Sequence, residues 1–130
     1  MKKYGRKTRD IVFFSAKNQT TLCVHTPQAR RYAKLLEEDT RIRSYEVNHP
    51  LDAAWIARID RVGIRGAYLQ TQWTTDFIIT DQDGREAVRE IVTADLLGKH
   101  AEIEKLELSR RYWKARGIED WRLVLTGEAE

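Results

Sequence analysis

Asp76 and Glu90 stand equally far from Asp83, on two apolar-rich runs that hold Trp73, Phe77, Ile78 and Ile79 on one side and Ala87, Val88, Ile91 and Val92 on the other. The segment between them, Asp81-Gln82-Asp83-Gly84, ends in Asp-Gly, a strong hairpin-turn signal when apolar runs flank it. Antiparallel pairing about that turn sets the two carboxylates opposite each other, with Cβ atoms roughly 5 Å apart, where they could share a hard divalent cation such as Mg²⁺. A plain hairpin with one solvated, acidic face fits the same residues. Other reactive side chains are scattered. His25, His49 and His100 fall on different expected elements without metal-ligand spacing and read as surface or turn residues. Cys23 has His25 two positions away but no basic neighbour in sequence, and reads as a small buried residue. Trp55, Trp73, Trp113 and Trp121 read as packing residues.

The elements that must position the pair follow from local pattern. Ile11 to Phe14 and Thr20 to Val24 read as two short strands around the polar turn Ala16-Lys17-Asn18-Gln19. Thr26-Pro27 has the form of an N-cap and first-turn proline, opening a helix to about Glu38 with Tyr32, Leu35 and Leu36 as its buried stripe. Arg41 to Val47 alternates as a strand that Asn48-His49-Pro50 ends. A less regular stretch with Trp55, Ile56, Ile59, Val62 and Gly66 leads to the central hairpin. A second long helix is expected from Ala94 or Asp95 to about Arg116, with Leu96, Ile103, Leu106 and Trp113 as its stripe and Gly117 as its stop. Trp121 to Thr126 closes the chain as a buried strand. Helix, strand, hairpin, helix, strand is an α/β order with a mixed sheet flanked by helices.

At 130 residues the chain fits one domain, here residues 11–127 behind a basic arm at 1–10. With 42% hydrophobic and 33% charged residues it reads as globular, and no apolar run approaches the roughly 18 residues of a membrane span. A basic N-terminus without an apolar segment and a single cysteine make the cytoplasm the expected compartment. A net charge of +3 leans towards a polyanionic partner. Lys2, Lys3, Arg6, Lys7 and Arg9 form the arm and Arg30 and Arg31 follow on the first helix; Arg110, Arg111, Lys114 and Arg116 cluster late. Such clusters could line a DNA groove, or be a solvated surface.

The TTDF of Thr74 to Phe77, the Asp83-Gly84 turn and EKLELSRRYW from Glu104 to Trp113 carry a further resemblance, with Arg65-Gly66 and Pro50-Leu51 in compatible places. Over about Arg6 to Thr126 the chain resembles the N-terminal domain of the TnsA family, endonuclease subunits of heteromeric bacterial transposases within the PD-(D/E)XK nuclease superfamily. The resemblance implies a restriction-endonuclease-like fold, Mg²⁺, transposon-end DNA and a DDE-type transposase subunit as partner. It implies metal ligation by Asp76, Glu90 and the backbone carbonyl of Ile91. The sequence ends at Glu130, before the family's usual C-terminal domain, which leaves that domain's contact with a regulatory ATPase outside the resemblance.

Two positions depart from the family pattern. The helix glutamate falls at Ala29 and the lysine after the turn at Val92. Losing the carboxylate removes charge near the metal, and losing the lysine removes the cation that orients the nucleophile or stabilises the phosphate, single losses of the order of 100- to 1,000-fold in rate. Glu37 is too far along the helix to replace Ala29, whereas Lys99 or Lys105 could swing in from the second helix. The expectation is therefore a DNA-associated subunit with impaired cleavage. The alternatives are an active nuclease with a rearranged site, and an interaction module that keeps only the fold.

Overall fold

The computed structural model describes residues 10–69 and 72–126, and the arm residues Lys2, Lys3, Arg6, Lys7 and Arg9 lie outside that range. Strands β1 (Ile11–Ser15) and β2 (Thr20–Val24) form a separate antiparallel hairpin. Helix α1 (Pro27–Glu38) follows at once, its first turn capped by Thr26, whose hydroxyl accepts from Ala29 N–H at 3.1 Å. Then come β3 (Ile42–Pro50), the short helices α2 (Ala53–Ile56) and α3 (Gly66–Leu69), the hairpin β4 (Thr74–Asp81) and β5 (Glu86–Thr93), helix α4 (His100–Ala115) and β6 (Trp121–Thr126). The main sheet has the order β3-β4-β5-β6, antiparallel except for β5 and β6, which the α4 crossover makes parallel. The chain is thus a mixed α/β protein.

Strand alternation divides the core into two layers. Phe77 and Ile79 face α1 and pack with Val24, Ala29, Ala33, Leu36 and Tyr45. Ile78 and Val88 face the other way, onto Leu108, Tyr112 and Trp113 of α4. The irregular stretch after β3 closes that second layer with Leu51, Ile56, Ile59 and Ile64, and Arg65 anchors it to Glu104 of α4 at 2.9 Å.

Several sequence expectations shift. The buried side of α1 is Gln28, Ala29, Ala33 and Leu36, while Leu35 is 60% exposed and Tyr32 half-buried. Ala29, Ala33 and Leu36 recur at i, i+4 and i+7 on one face of the helix, and Leu35 falls off that face. Helix α4 starts at His100, because residues 94–98 form turns with i to i+3 bonds such as Leu96 N–H to Thr93 O. Leu96 and Ile103 are exposed, and Leu106, Leu108, Ser109, Tyr112 and Trp113 make the buried face. The helix does stop at Gly117, whose φ of 93° turns the chain so that Ile118 N–H reaches Trp113 O. β3 continues through Asn48 to Pro50 because Asn48 takes a left-handed φ of 52° and the pairing resumes at His49 with Thr75. β6 is an edge strand rather than a buried one, with Leu125 58% exposed.

Candidate functional site

The β4–β5 ladder is regular from Thr80 paired with Glu86 to Phe77 paired with Arg89. One step further, where Asp76 meets Glu90, side chains replace backbone carbonyls as acceptors. Asp76 N–H donates to Glu90 Oε1 at 3.1 Å, and Ile91 N–H donates to Asp76 Oδ2 at 2.7 Å. On the other side of Asp76, the ladder to β3 is broken at the left-handed Asn48. The two carboxylates therefore sit in a split between strands, facing each other as their equal distance from the turn predicts.

Glu90 is held from the α4 side. Its Oε2 accepts from Ser109 Oγ at 2.6 Å, and that hydroxyl in turn accepts from Trp121 Nε1 at 2.9 Å. Four residues along the same helix face, Trp113 Nε1 donates to Thr75 Oγ1 at 2.7 Å, fixing β4 just before Asp76. Four residues earlier on that face stands Lys105, with Nζ 5.6 Å from the Trp73 ring centre. Of the two lysines considered for a rearranged site, Lys105 is the one whose charge reaches both carboxylates.

Burial dominates the electrostatics. Glu90 is 2% exposed, and loss of water together with the Asp76 charge pushes its carboxyl up to about 7, against the pull of the Ser109 and Asp76 hydrogen bonds. Burial likewise raises Asp76, opposed by the Ile91 N–H and the Lys105 charge. Two like charges this close, with one lysine near, favour a bound cation or a shared proton.

The donor chemistry suits a hard cation in part. Two carboxylates are a normal protein share of an Mg²⁺ site that keeps several waters. The Ile91 carbonyl lies on the same strand edge as its N–H and so faces the split. Each Glu90 oxygen accepts one hydrogen bond, from Asp76 N–H or Ser109 Oγ, and keeps a second lone pair for a cation.

The remaining sequence candidates lie elsewhere. Ala29 is packed in the α1 layer, whereas Glu90 is gripped from the α4 layer, so α1 brings no carboxylate to the pair. Val92, 1% exposed, leaves no amine on β5 beside Glu90. Glu37 is a structural staple that accepts from the hydroxyls of Ser15 and Tyr45 and from Lys17 N–H. Arg30 stacks on Phe13 at 4.1 Å, and Arg31 lies beside it on α1. The late basic cluster is largely engaged: Arg110 and Arg111 pair with Glu107, Arg111 also binds the carbonyls of Asp60 and Val62, and Arg116 stacks on Trp55. The tryptophans pack, as expected. Cys23 is half-buried rather than fully buried, and lies with His25 and Asp10, a grouping that sequence spacing did not reveal.

Fold and site together define an α/β protein with a buried carboxylate pair set in a split of its sheet. No protein-family model matches the chain, and no curated protein matches it significantly. Among the described residues no helix is long and apolar enough to cross a membrane.

Proposed function

We propose that this chain is a TnsA-like, DNA-associated subunit with a restriction-endonuclease-like fold and impaired cleavage. The observation that carries the reading is the split between β4 and β5 with Asp76 and Glu90 inside it. A strand pair gains nothing in stability from exchanging ladder acceptors for two buried acids. A site for a cation beside a phosphodiester is a physical reason to keep them there. The order helix, three antiparallel strands, crossover helix and parallel strand supports the nuclease-like assignment. The alanine at position 29, where the family pattern has the α1 glutamate, and the valine at position 92 in place of its lysine support the impairment. On this reading Mg²⁺ would be held by Asp76, Glu90 and the Ile91 carbonyl and would polarise a phosphate; Ser109 and Trp121 orient Glu90, and Ile91 N–H orients Asp76. Transposon-end DNA and a DDE-type transposase subunit are the partners the resemblance implies, and the cytoplasm the compartment.

One observation favours an active, rearranged nuclease instead. Lys105 supplies a positive charge near both carboxylates from α4, where a β5 lysine would otherwise act. A plasmid-nicking assay with Mg²⁺ and with Mn²⁺ separates the readings. The expected result is DNA binding with nicking no greater than that of Asp76→Asn. Nicking that both Asp76→Asn and Lys105→Gln abolish would establish the rearranged enzyme. Absence of any salt-dependent DNA affinity would leave only an interaction module.

A further inference from the structure

Asp10, Cys23 and His25 meet at the open end of the β1–β2 hairpin. The register pairs Val12 with Cys23 and Ile11 with Val24, so Asp10 and His25 are the next facing positions. Cys23, two residues before His25, projects to the same side of the strand. Asp10 Oδ1 lies 3.1 Å from His25 Nδ1, and one ligand-type atom from each of the three residues lies within 4.8 Å of the other two. It is the one such trio among the described residues.

We infer that Asp10, Cys23 and His25 form a binding site for a single divalent cation of the zinc class, with water completing the coordination. The donor set decides the class of metal. A thiolate and an imidazole are poor ligands for Mg²⁺ or Ca²⁺ and good ones for Zn²⁺, with a carboxylate as a common third partner. Three protein ligands and an open position are the pattern of an accessible zinc site. Bonds of roughly 2.0–2.3 Å in a tetrahedron need donors somewhat under 4 Å apart, so the trio must contract by about an ångström. Side-chain rotation supplies this, since Asp10 is 75% and His25 48% exposed.

The backbone beneath the trio is already fixed. Asn48 Nδ2 donates to Cys23 O at 3.0 Å, tying β2 to the main sheet, and Thr26, directly after His25, caps α1. The cation would clamp the start of β1 to the exit of β2. Asp10 also follows the basic arm directly, so the clamp would fix the root of the segment that carries Lys2, Lys3, Arg6, Lys7 and Arg9. The cation would take Cys23 as its thiolate. This site is independent of the Asp76–Glu90 pair, which offers only oxygen.

The test is a titration of the reduced, metal-free full chain with Co²⁺ and then Zn²⁺. One equivalent of Co²⁺ should give a thiolate-to-cobalt charge-transfer band and the intense visible bands of four-coordinate cobalt, both bleached by Zn²⁺. Cys23→Ser should remove the charge-transfer band, His25→Ala and Asp10→Asn should each weaken binding by roughly tenfold or more, and Asp76→Asn should change nothing. Cys23 is the only cysteine, so protection of its thiol from alkylation by stoichiometric Zn²⁺ reads the same site in the unaltered protein. No charge-transfer band, alkylation indifferent to Zn²⁺, or a band that His25→Ala and Asp10→Asn both leave unchanged would overturn the assignment.

Discussion

Glu90 is a carboxylate buried to 2% exposure that retains two strong donors, Ser109 Oγ and Asp76 N–H. Its carboxyl is pushed up from 4.5 to about 7 by burial first and by Asp76 second, so the folded chain binds a proton that the unfolded chain releases in that interval. A raised folded-state value means that this group's contribution to stability is present below 4.5 and is lost as pH rises to about 7. Thermal unfolding between those limits should show the midpoint falling with rising pH, and Glu90→Gln should flatten that slope. The amide can still accept from Asp76 N–H and donate to Ser109 Oγ. An unchanged slope in the variant would mean that Glu90 stays ionised throughout. Mg²⁺ or Mn²⁺ bound at the pair would raise the midpoint by mass action, most at high pH where both acids are charged. The facing of Asp76 and Glu90 was legible in the sequence because a two-residue alternation counted from one turn fixes it. Their hold by Ser109 was not, since that contact joins residues 19 apart through the register of a helix. Nor was the approach of Cys23 and His25 to Asp10, which depends on the pairing across a different turn.

At the scale of elements, the β1–β2 hairpin is fastened to the domain at its turn by Glu37. Burial pushes this carboxyl up, but the hydrogen bonds from Ser15, Tyr45 and Lys17 outweigh it and the net shift is down. Glu37→Ala leaves three donors without their shared acceptor, and an urea-monitored loss of roughly 2–3 kcal/mol is expected. A loss below roughly 0.5 kcal/mol would show that water replaces the carboxylate without penalty. Gly117 holds α4 in register with β6 through its φ of 93°, and Gly117→Ala should lower stability by roughly 1 kcal/mol. Equal stability would mean that the turn has an alternative geometry. Signals of this type, Thr26-Pro27 at the start of α1 and Gly117 after α4, were readable because caps are local chemistry. The start of α4 was not, because helical residues and the i to i+3 turns at 94–98 share the same apolar spacing over so short a stretch. The buried face of α1 was misjudged for a related reason. Side-chain size favours Leu35 as a core residue, whereas the helical phase set by Ala29, Ala33 and Leu36 turns it to solvent.

For the whole molecule, the distribution of charge decides how DNA could be held. The +3 balance is modest; Arg110 and Arg111 of α4 pair with Glu107, Arg111 also binds the carbonyls of Asp60 and Val62, and Arg116, just after the helix, stacks on Trp55. Arg111 and Arg116 brace the 51–69 segment against the end of the molecule that α4 forms, while Arg110 pairs within the helix. On the DNA-associated reading, the phosphate contacts expected are those of Lys2, Lys3, Arg6, Lys7 and Arg9 in the segment before Asp10, and of Arg30 on α1. Each neutralised phosphate adds about 0.9 to the slope of log affinity against log salt concentration, so truncation before Asp10 should lower that slope by roughly 3 to 5. Arg30→Gln, which removes one charge while keeping a side chain that can lie on Phe13, should lower it by about 1. Both effects should be the same for any duplex sequence, since phosphate contacts carry no base information. A slope that survives truncation would move the DNA-facing surface from the arm to the folded domain, and the zinc-class clamp at Asp10 would then bear on fold stability alone.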